Sequence, residues 1–478
     1  MKTLISFYTL RLPIYFVYML QQVEYNPTKF LDWIERLIKH NRKISFVRHR
    51  KSLVPTTKAK SLVYSSYLLL IVLLSLVFLL NLKFSVWLVV DYFVILLALP
   101  FFLIIELTLV TFFAKLFIVN PKKSKLVNLS RDIFLKHTAI KIAVVGSYGK
   151  TTMKELLSTI LKEGLSVAST PGNMNTSLSH ARFAKGLSGE EEILIVEFGE
   201  GEPGDISSMA RIFKPDFVVL TGLAPNHLDS YPSLDSLAKD ILSVYEFADK
   251  DSVFVTAESQ LLQPYLTKGN LKYSVKSVLG WKISNIIVSV SNTKFSMKKG
   301  NKEIQVTTGL LGRHQVAPVA FASALAEQLG LSRKQIESGC SKVQPYEHRM
   351  QSRYIHGAWI IDDTYNGNIE GMQAGLMLLS ELDMKRKWYV TPGLVDQGSE
   401  TDNVHTELGK SIALASPDIV VLMENSARPA IEKSLKDCGF SGELRIESNP
   451  LEFYTNIEHV IVAGDLMLMQ NDWTDNYN

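Results

Sequence analysis

A glycine-rich stretch between two apolar segments carries the residue types that bind phosphate. Residues 140–152 read Ile-Lys-Ile-Ala-Val-Val-Gly-Ser-Tyr-Gly-Lys-Thr-Thr, which predicts a buried strand, a tight turn and a helix starting near Lys150. Gly146 and Gly149 let the backbone curl so that successive N–H groups point at one spot, and the helix adds its positive end. We expect Lys150 to reach the β- and γ-phosphates and the Thr151 hydroxyl to hold Mg²⁺. The stretch therefore predicts a nucleoside triphosphate site.

The residues expected at the nucleotide from this stretch are Gly146, Ser147, Gly149, Lys150, Thr151 and Thr152. The spacing is shorter than in the usual Gly-x-x-x-x-Gly-Lys-Ser/Thr pattern. An ordinary strand–turn–helix corner is therefore the alternative.

An acid and a histidine follow other predicted strands of the same region. Glu197 closes a strand predicted over 193–198, and His227 lies in the loop after a strand predicted over 217–220. Because parallel α/β sheets bind ligands at the carboxyl ends of their strands, Glu197 is predicted to be a Mg²⁺ ligand beside the phosphates. A strand cap and an ordinary loop histidine are the alternatives.

Composition limits the class of protein. A chain of 478 residues predicts two or three domains, and its net charge of +4 gives no reason to expect nucleic acid. Two cysteines exclude a disulfide framework and fit a reducing compartment. The hydrophobic content of 47% is high for a soluble enzyme, and the excess is concentrated near the start of the chain.

Two apolar segments there are long enough to cross a bilayer. Residues 62–82 contain no charge, and 84–105 are interrupted only by Asp91. Spans of this length predict a transmembrane helical hairpin with its turn at 81–83; a buried hairpin of a soluble core is the alternative. Basic residues crowd both flanks, which predicts a cell (inner) membrane protein, with membrane lipid as a partner and the catalytic part facing the cytoplasm.

Residues 1–61 form a basic, amphipathic region in front of the hairpin. Apolar residues recur at helical spacing over 30–38, with basic residues between them. Such a helix is expected at the membrane surface, and a small helical cap on the soluble domain is the alternative.

The chain after residue 138 alternates short apolar strands with helical stretches, which predicts an α/β fold with parallel sheets. A few antiparallel strands are expected over 286–308 and a helix over 314–329. A second α/β series follows, and the boundary between the two lobes is expected near 330–346. The predicted strands are 140–145, 193–198, 217–220, 253–256, 359–361, 388–390, 419–422 and 460–462.

Several short blocks occur along this part of the chain in one order. They are Gly146-Ser-Tyr-Gly-Lys-Thr-Thr152, Glu197, Asn226-His-Leu-Asp229, Gly312-Arg-His314, Glu347-His-Arg-Met350 and Asp362-Asp-Thr-Tyr-Asn-Gly-Asn368. Together they resemble the Mur ligases, ATP-dependent enzymes that join an amino acid or dipeptide to a peptidoglycan precursor. The last block, followed by Met372, is most similar to the branch that adds D-alanyl-D-alanine to a UDP-muramoyl-tripeptide.

The resemblance implies an organisation and a reaction. The charge and apolar patterns predict a basic N-terminal region (1–61) and a membrane hairpin with connector (62–125), and the resemblance implies a central P-loop ATPase domain (138–345) and a Rossmann-like C-terminal domain (346–478). ATP would phosphorylate a precursor carboxylate, and the incoming amine would displace phosphate from the acyl phosphate. Closure of the two lobes would exclude water from that intermediate.

The resemblance also assigns roles to residues. Lys150, Glu197 and His227 are expected to be catalytic, with Thr151, Glu197 and His227 at Mg²⁺. Arg349 and Asp363 are expected at the nucleotide, reaching over from the C-terminal lobe. Tyr365, Asn366 and Asn368 are expected beside the amine substrate, or else are turn residues after a strand.

The chain departs from the family at several positions. Ile241 stands where the family carries a lysine whose carbamate bridges a second Mg²⁺, and Lys239 lies two residues earlier. Gln315 and Pro318 replace asparagines expected near the adenine, and residues 463–466 replace a Lys-Gly-Ser-type segment. The family's N-terminal UDP-binding domain has no visible counterpart.

These departures leave two further hypotheses. The same chemistry could serve another acceptor, such as a poly-γ-glutamate-like or lipid-linked chain. A degenerate ligase that binds nucleotide and acts as a membrane scaffold is the non-enzyme alternative.

Overall fold

The computed structural model describes residues 2–39, 53–84, 88–225, 230–267, 269–365, 367–395, 397 and 400–471. The chain divides into two compact units, Met1–Lys125 and Leu126–Asn478, and each is described by itself. Of the predicted site residues, His227 and Asn366 lie outside the described part.

The first unit is helical. Its helices are α1 (Lys2–Ser6), α2 (Leu12–Gln22), α3 (Pro27–Lys39), α4 (Thr57–Phe84), α5 (Leu88–Ala114), the π-helix Lys115–Val119 and the start of α6 (Asn120–Lys136). The turn predicted at 81–83 is wrong, because these residues continue α4. Pro100 lies inside α5 without ending it. Among the described residues, two helices are long and apolar enough to cross a membrane by length and composition, at Thr57–Leu76 and Leu97–Lys136.

Aromatic side chains hold α2 and α3 within this unit. The rings of Phe16 and Phe30 meet edge to face, with centroids 5.8 Å apart, and Phe30 stacks on Trp33 at 6.0 Å. Leu103 and Leu107 of α5 belong to the same apolar cluster. The apolar face of α3 therefore packs inside the first unit.

One carboxylate joins the two long helices. Glu106 of α5 accepts hydrogen bonds from the hydroxyls of Ser65 (2.7 Å) and Ser66 (2.9 Å) of α4. In apolar surroundings such interhelical bonds fix the pairing of helices.

Strands of the second unit form three sheets. They are β1 (Ile140–Val145), β2 (Val167–Ser169), β3 (Ile193–Glu197), β4 (Phe217–Leu220), β5 (Val253–Thr256), β6 (Leu271–Tyr273), β7 (Ser277–Val278), β8 (Trp281–Val288), β9 (Thr293–Lys299), β10 (Lys302–Thr308), β11 (Gln351–Ile355), β12 (Ala358–Asp363), β13 (Arg386–Thr391), β14 (Ile419–Met423), β15 (Glu443–Glu447) and β16 (Asp465–Gln470).

The helices of this unit lie between the strands. They are α7 (Lys150–Leu161), α8 (Ser177–Lys185), α9 (Asp205–Phe213), α10 (Leu234–Leu242), α11 (Val316–Gln328), α12 (Arg333–Lys342), α13 (Ile369–Glu381), α14 (Thr401–Ala415), α15 (Arg428–Asp437), α16 (Pro450–Thr455) and α17 (Ile457–Val460).

The first sheet is parallel, in the order β2-β3-β1-β4-β5-β6. Alternate residues of β1 face opposite ways: Ile142 packs in a core with α7 and α11, and Ala143 packs in another with α9 and α10. Because helices cover both faces, the strands read as continuous apolar runs. The chain leaves β1 toward β2 and β3 and then crosses back to β4, so the carboxyl ends of β1, β3 and β4 border the crevice where such sheets bind ligands.

The other two sheets complete the fold. The antiparallel sheet β10-β9-β8-β7 corresponds to the predicted strands over 286–308 and begins earlier, at Ser277. The third sheet has the order β11-β12-β16-β13-β14-β15, in which β11 is antiparallel and the remaining pairs are parallel. The predicted α/β class with parallel sheets is confirmed.

One predicted strand is wrong. Residues 460–462 leave the end of α17 and turn, and the strand is Asp465–Gln470, which is buried throughout. The alternating leucines and methionines of β16 fit a central strand, because both of its faces are covered.

Candidate active site

The turn after β1 depends on two glycines. Gly146 has φ 141°, and a Cβ there would lie 2.4 Å from Oγ1 of Thr221, at the end of β4. Gly149 has φ 73° and caps the start of α7. L side chains rarely adopt these φ angles. Positions 146 and 149 therefore both require glycine, as the sequence predicts for a phosphate-binding turn.

The backbone donors of this turn divide into two groups. The N–H groups of Lys150, Thr151 and Thr152 open α7 and have no acceptor within the helix, so they suit an anion at its N-terminus. The N–H of Ser147 instead donates to the carbonyl of Gly222 at 2.9 Å. The anion-facing donors are therefore those of the helix start.

Lys150 is buried and holds a carboxylate. Its Nζ lies 2.7 Å and 2.9 Å from the two oxygens of Glu200 and 2.5 Å from the carbonyl oxygen of Gly146. Lys150 is 8% and Glu200 3% exposed. Sequence reasoning assigned no role to Glu200.

Thr151 and Glu197, both expected at Mg²⁺, are in direct contact. The Thr151 hydroxyl donates to Oε2 of Glu197 at 2.9 Å, and Nδ2 of Asn175 donates to Oε1 at 3.3 Å. The described residues contain no group of three or more His, Cys, Asp or Glu side chains arranged for a metal. A hydroxyl and a carboxylate nevertheless fit Mg²⁺, which takes one or two protein oxygens together with phosphates and water.

A histidine fixes the backbone of Glu197. Burial lowers the pKa of His180 to about 4, so the ring is neutral at physiological pH and its Nε2–H donates to the Glu197 carbonyl at 2.8 Å. This bond secures the end of β3 beside the turn.

Lys154 is a functional candidate that sequence reasoning missed. It is fully buried, and its Nζ donates to the carbonyl oxygens of Thr170, at 2.7 Å, and Gly172. The same nitrogen lies 3.9 Å from Oε2 of Glu197. Its position four residues after Lys150, on the same face of a helix, was the signal that could have identified it.

A second group of predicted residues lies just before β11 and just after β12. The guanidinium of Arg349 lies over the ring of Tyr365, 4.6 Å from its centroid. The Tyr365 hydroxyl accepts a hydrogen bond from Nδ2 of Asn173 at 2.8 Å. Nε of Arg349 is buried without a hydrogen-bond partner among the described residues. These contacts place the segment after β12 against the loop that Lys154 holds.

Asp363 ends β12 in a shielded position. Its oxygens accept from the Met350 N–H at 3.1 Å and from Nε2 of Gln470 at 2.8 Å. Loss of hydration raises the pKa of Asp363 to about 7, although these two bonds and Arg349 favour the charged form. Asp363 therefore holds its proton to a higher pH than an ordinary aspartate does.

Tyr148, in the glycine turn after β1, lies near the start of α13. Burial first, and then the carboxylate of Glu370 in the first turn of α13, raise the pKa of Tyr148. The Tyr148 ring lies against Gly222, where a Cβ would approach it to 2.3 Å. Asn368 caps α13, accepting from the Gly371 N–H at 2.8 Å. Its predicted contact with substrate stays a prediction, as do the roles of His227 and Asn366.

Helix α10 presents no lysine to the site. Ile241 is fully buried in the apolar core, and Lys239 is exposed. Asp240 between them accepts from the Gly204 N–H at 2.9 Å and from the Tyr231 hydroxyl at 2.7 Å.

The remaining departures have structural roles. Pro318 occupies the first turn of α11, where its missing N–H costs nothing, and Gln315 closes the short helix before it. Asp465 is buried and accepts from Arg386 at 2.7 Å and 2.9 Å and from Trp388 at 3.1 Å.

One family of known proteins matches the part of the chain that holds this site. Residues 144–326 match the sequence profile of the Mur ligase middle domain. They include the last two residues of β1, the glycine turn, Glu197 and most of α11. This part of the second unit is therefore similar to the middle domain of the Mur ligases.

The particular proteins that the chain resembles share one activity in their names. The UDP-N-acetylmuramoyl-tripeptide–D-alanyl-D-alanine ligase of Buchnera aphidicola subsp. Baizongia pistaciae is 28% identical over 280 residues, covering 57% of this chain and 61% of that protein. The ligase of the same name from Escherichia coli K12 is 24% identical over 296 residues, covering 59% and 63%. The chain thus spans less than two thirds of the length of these relatives. The resemblance seen in the motifs is confirmed.

Solved structures agree on the fold. MurF from Acinetobacter baumannii superimposes with a TM-score of 0.64 at 20% identity, over 74% of this chain and 78% of that one. MurF from Thermotoga maritima, solved in complex with ADP, gives 0.63 at 21% identity over 73% and 80%.

Proposed function

We propose that this chain is an ATP-dependent amide ligase of cell-wall precursor synthesis that joins D-alanyl-D-alanine to a muramoyl-peptide. The observation that carries the proposal is the 2.9 Å contact between Thr151 and Glu197. It lies beside the buried Lys150, at the carboxyl ends of β1 and β3. The names of the relatives supply the substrates.

The reaction begins with transfer of the γ-phosphoryl group of ATP to a carboxylate of the muramoyl-peptide, which gives ADP and an acyl phosphate. Such a transfer depends on positioning and on neutralising negative charge. The ammonium of Lys150 and the N–H groups that open α7 provide this at the phosphates. The amine of D-alanyl-D-alanine then attacks the acyl carbon, loses a proton and displaces inorganic phosphate.

Thr151 and Glu197 are the residues that would hold Mg²⁺, which when bound neutralises phosphate charge. Asn175 and the backbone bond from His180 orient Glu197 for that role. His227 belongs to the same proposal by its resemblance to the family.

Residues of the other lobe would complete the site. Arg349 offers a cation at the nucleotide, and its orientation is set by the Tyr365 ring. The Asn173–Tyr365 bond ties this segment to the loop beside Glu197. Contacts that join the lobes protect an acyl phosphate from water.

We also propose that the first unit anchors the enzyme in the cell (inner) membrane, with the second unit in the cytoplasm. Supporting this are the two long apolar helices and exposed apolar side chains such as Leu68, Ile71 and Phe117. Basic residues before α4 and after α5 favour a cytoplasmic location for both ends.

The anchor favours a second candidate, in which the acceptor is lipid-linked or another membrane-held chain. A tethered enzyme meets such an acceptor at a raised effective concentration. The chemistry at Lys150 would be unchanged.

The test is phosphate release from ATP by the purified full chain in detergent. UDP-N-acetylmuramoyl-tripeptide and D-alanyl-D-alanine are supplied alone and together, with the Lys150→Ala variant as control. Release that needs both substrates and yields the pentapeptide product supports the ligase. Release only with a lipid-linked acceptor supports the second candidate. ATP binding without release under any condition contradicts both and leaves the membrane scaffold.

A further inference from the structure

Glu200 pairs with the ammonium group of Lys150, the cation that is expected to bind the phosphates of a nucleoside triphosphate. Both of its oxygens lie within 2.9 Å of Lys150 Nζ, and a third contact runs to the Gly146 carbonyl oxygen. These three acceptors match the three donors of an ammonium group. In this state Lys150 has no donor left for a phosphate oxygen.

The pair is buried, which makes its separation costly. The side chain of Lys150 is 9% and that of Glu200 3% exposed. Removing the lysine from such a pair leaves an uncompensated carboxylate in a site that is poor in water. A phosphate that takes Lys150 therefore competes with Glu200 and leaves this carboxylate without its counter-charge.

The surroundings of Glu200 are already acidic. Burial first, and then the carboxylates of Asp240, Asp205 and Glu200, raise the pKa of Tyr231. Glu200 also follows Glu197 by three residues, at the same end of β3. A freed Glu200 would meet further negative charge, so a cation is its natural new partner.

We propose that Glu200 is an internal competitor of the nucleotide for Lys150, and that a nucleoside triphosphate binds tightly only with a divalent cation that replaces Lys150 as the counter-charge of Glu200. The inference rests on the proposed nucleotide site and adds a regulatory property to it. Lys150 stays paired with Glu200 until both ligands are present, so the site binds metal-free nucleotide only weakly.

The test measures ATP affinity by isothermal titration calorimetry on the full chain in detergent, with EDTA and with Mg²⁺. Glu200→Gln keeps the shape and removes the charge. Its matched control is Glu202→Gln, an exposed acid two residues away. We expect Glu200→Gln to bind metal-free ATP about 10- to 100-fold more tightly than the unmodified chain. Glu202→Gln should leave that affinity unchanged.

A second variant covers the case in which Glu200→Gln unfolds, which thermal unfolding would reveal. Glu200→Asp keeps the charge but is one methylene shorter, so it holds Lys150 less well. It should bind metal-free ATP more tightly than the unmodified chain. Unchanged or weaker metal-free binding by the folded variants overturns the inference.

The outcomes separate this inference from the proposed function. Loss of ATP binding by every form of the chain, even with Mg²⁺, removes the proposed function and the inference with it. Normal Mg²⁺-dependent ligation, with equal metal-free affinities in the Glu200 variants and the unmodified chain, removes the inference alone.

Discussion

Asn173 and Tyr365 are 192 residues apart in sequence, yet the side-chain amide of one donates a hydrogen bond to the hydroxyl of the other at 2.8 Å. Asn173 follows Gly172, whose carbonyl oxygen is held by Lys154. The guanidinium of Arg349 lies over the ring of Tyr365. This contact therefore connects the sheet of the phosphate-binding turn to the sheet of Asp363.

Removing that contact should weaken the attachment of the two lobes. Asn173→Ala, Tyr365→Phe and the double variant form a cycle, and a coupling of about 0.5–1 kcal/mol is expected in the free energy of urea unfolding. Tyr346→Phe is the control, because its ring neighbours Tyr365 at 6.5 Å outside this bond. Strictly additive single effects would show that the bond does not couple the lobes.

Lys150→Ala should abolish turnover. Loss of the ammonium removes the charge that stabilises the transferring phosphoryl group, and kcat should fall by about 10²-fold or more. Lys162→Ala, which changes an exposed lysine just after α7, should keep full activity in the same phosphate-release assay. Equal rates for the two variants would rule out the assigned role of Lys150.

Lys154→Met should destabilise the fold. The substitution leaves the carbonyl oxygens of Thr170 and Gly172 without their donor, and Glu197 without a nearby positive charge. The cost is expected to be about 3–5 kcal/mol in the free energy of unfolding. Guanidinium unfolding measures it, with Lys162→Met as the exposed control. A loss no larger than that of the control contradicts the structural role of Lys154.

Asp363 should make stability depend on pH. Its pKa of about 7 lies above the ordinary value of 3.8, so the folded chain binds this proton more tightly than the unfolded chain. The stability that the residue contributes is complete below about pH 4 and is lost as the pH rises through about 7. The free energy of unfolding of Asp363→Asn should therefore lie closer to that of the unmodified chain at about pH 8 than at about pH 5.

Thermal unfolding at the two pH values measures this difference. The exposed aspartate variant Asp437→Asn should show no such trend. A difference between Asp363→Asn and the unmodified chain that does not change with pH would contradict the raised pKa.

The native cysteines report the side of the membrane. Cys438 is exposed and Cys340 is buried. If the second unit faces the cytoplasm, a membrane-impermeant maleimide should label Cys438 only after cells are opened, and Cys340 only after unfolding. Cys438→Ser is the control. Labelling of Cys438 in intact cells would place this unit on the outside.

Local pattern predicted most of the sheet and part of the site. The run 140–152 combines an apolar strand, two glycines and a helix start, so its structure is encoded within thirteen neighbouring residues. The pairing of Lys150 with Glu200 depends on the path of the loop after β3, fifty residues later in the chain. No rule of local residue spacing predicts such a long-range contact. The strand at 460–462 was wrong because short apolar runs near chain turns do not distinguish strand from helix end.

Ile241 stands where the family carries a lysine, and the structure shows which way this position faces. From the sequence, Lys239 lies two residues before the position of the family's lysine and in a different direction on a helix, which puts the second Mg²⁺ site in doubt. In the fold, Ile241 points into the apolar core and Lys239 into solvent, because neighbours two apart on a helix face different directions.

The place of β16 has a consequence for how this protein is made. It lies between β12 and β13, although the ribosome synthesises it after β15. Strands β12 and β13 therefore emerge without the partner that joins them, and their apolar edges stay open to chaperones or to other nascent chains. A message truncated anywhere before codon 465 would yield a protein whose third sheet cannot close. Cellular quality control should clear such a product even though its phosphate-binding turn is complete.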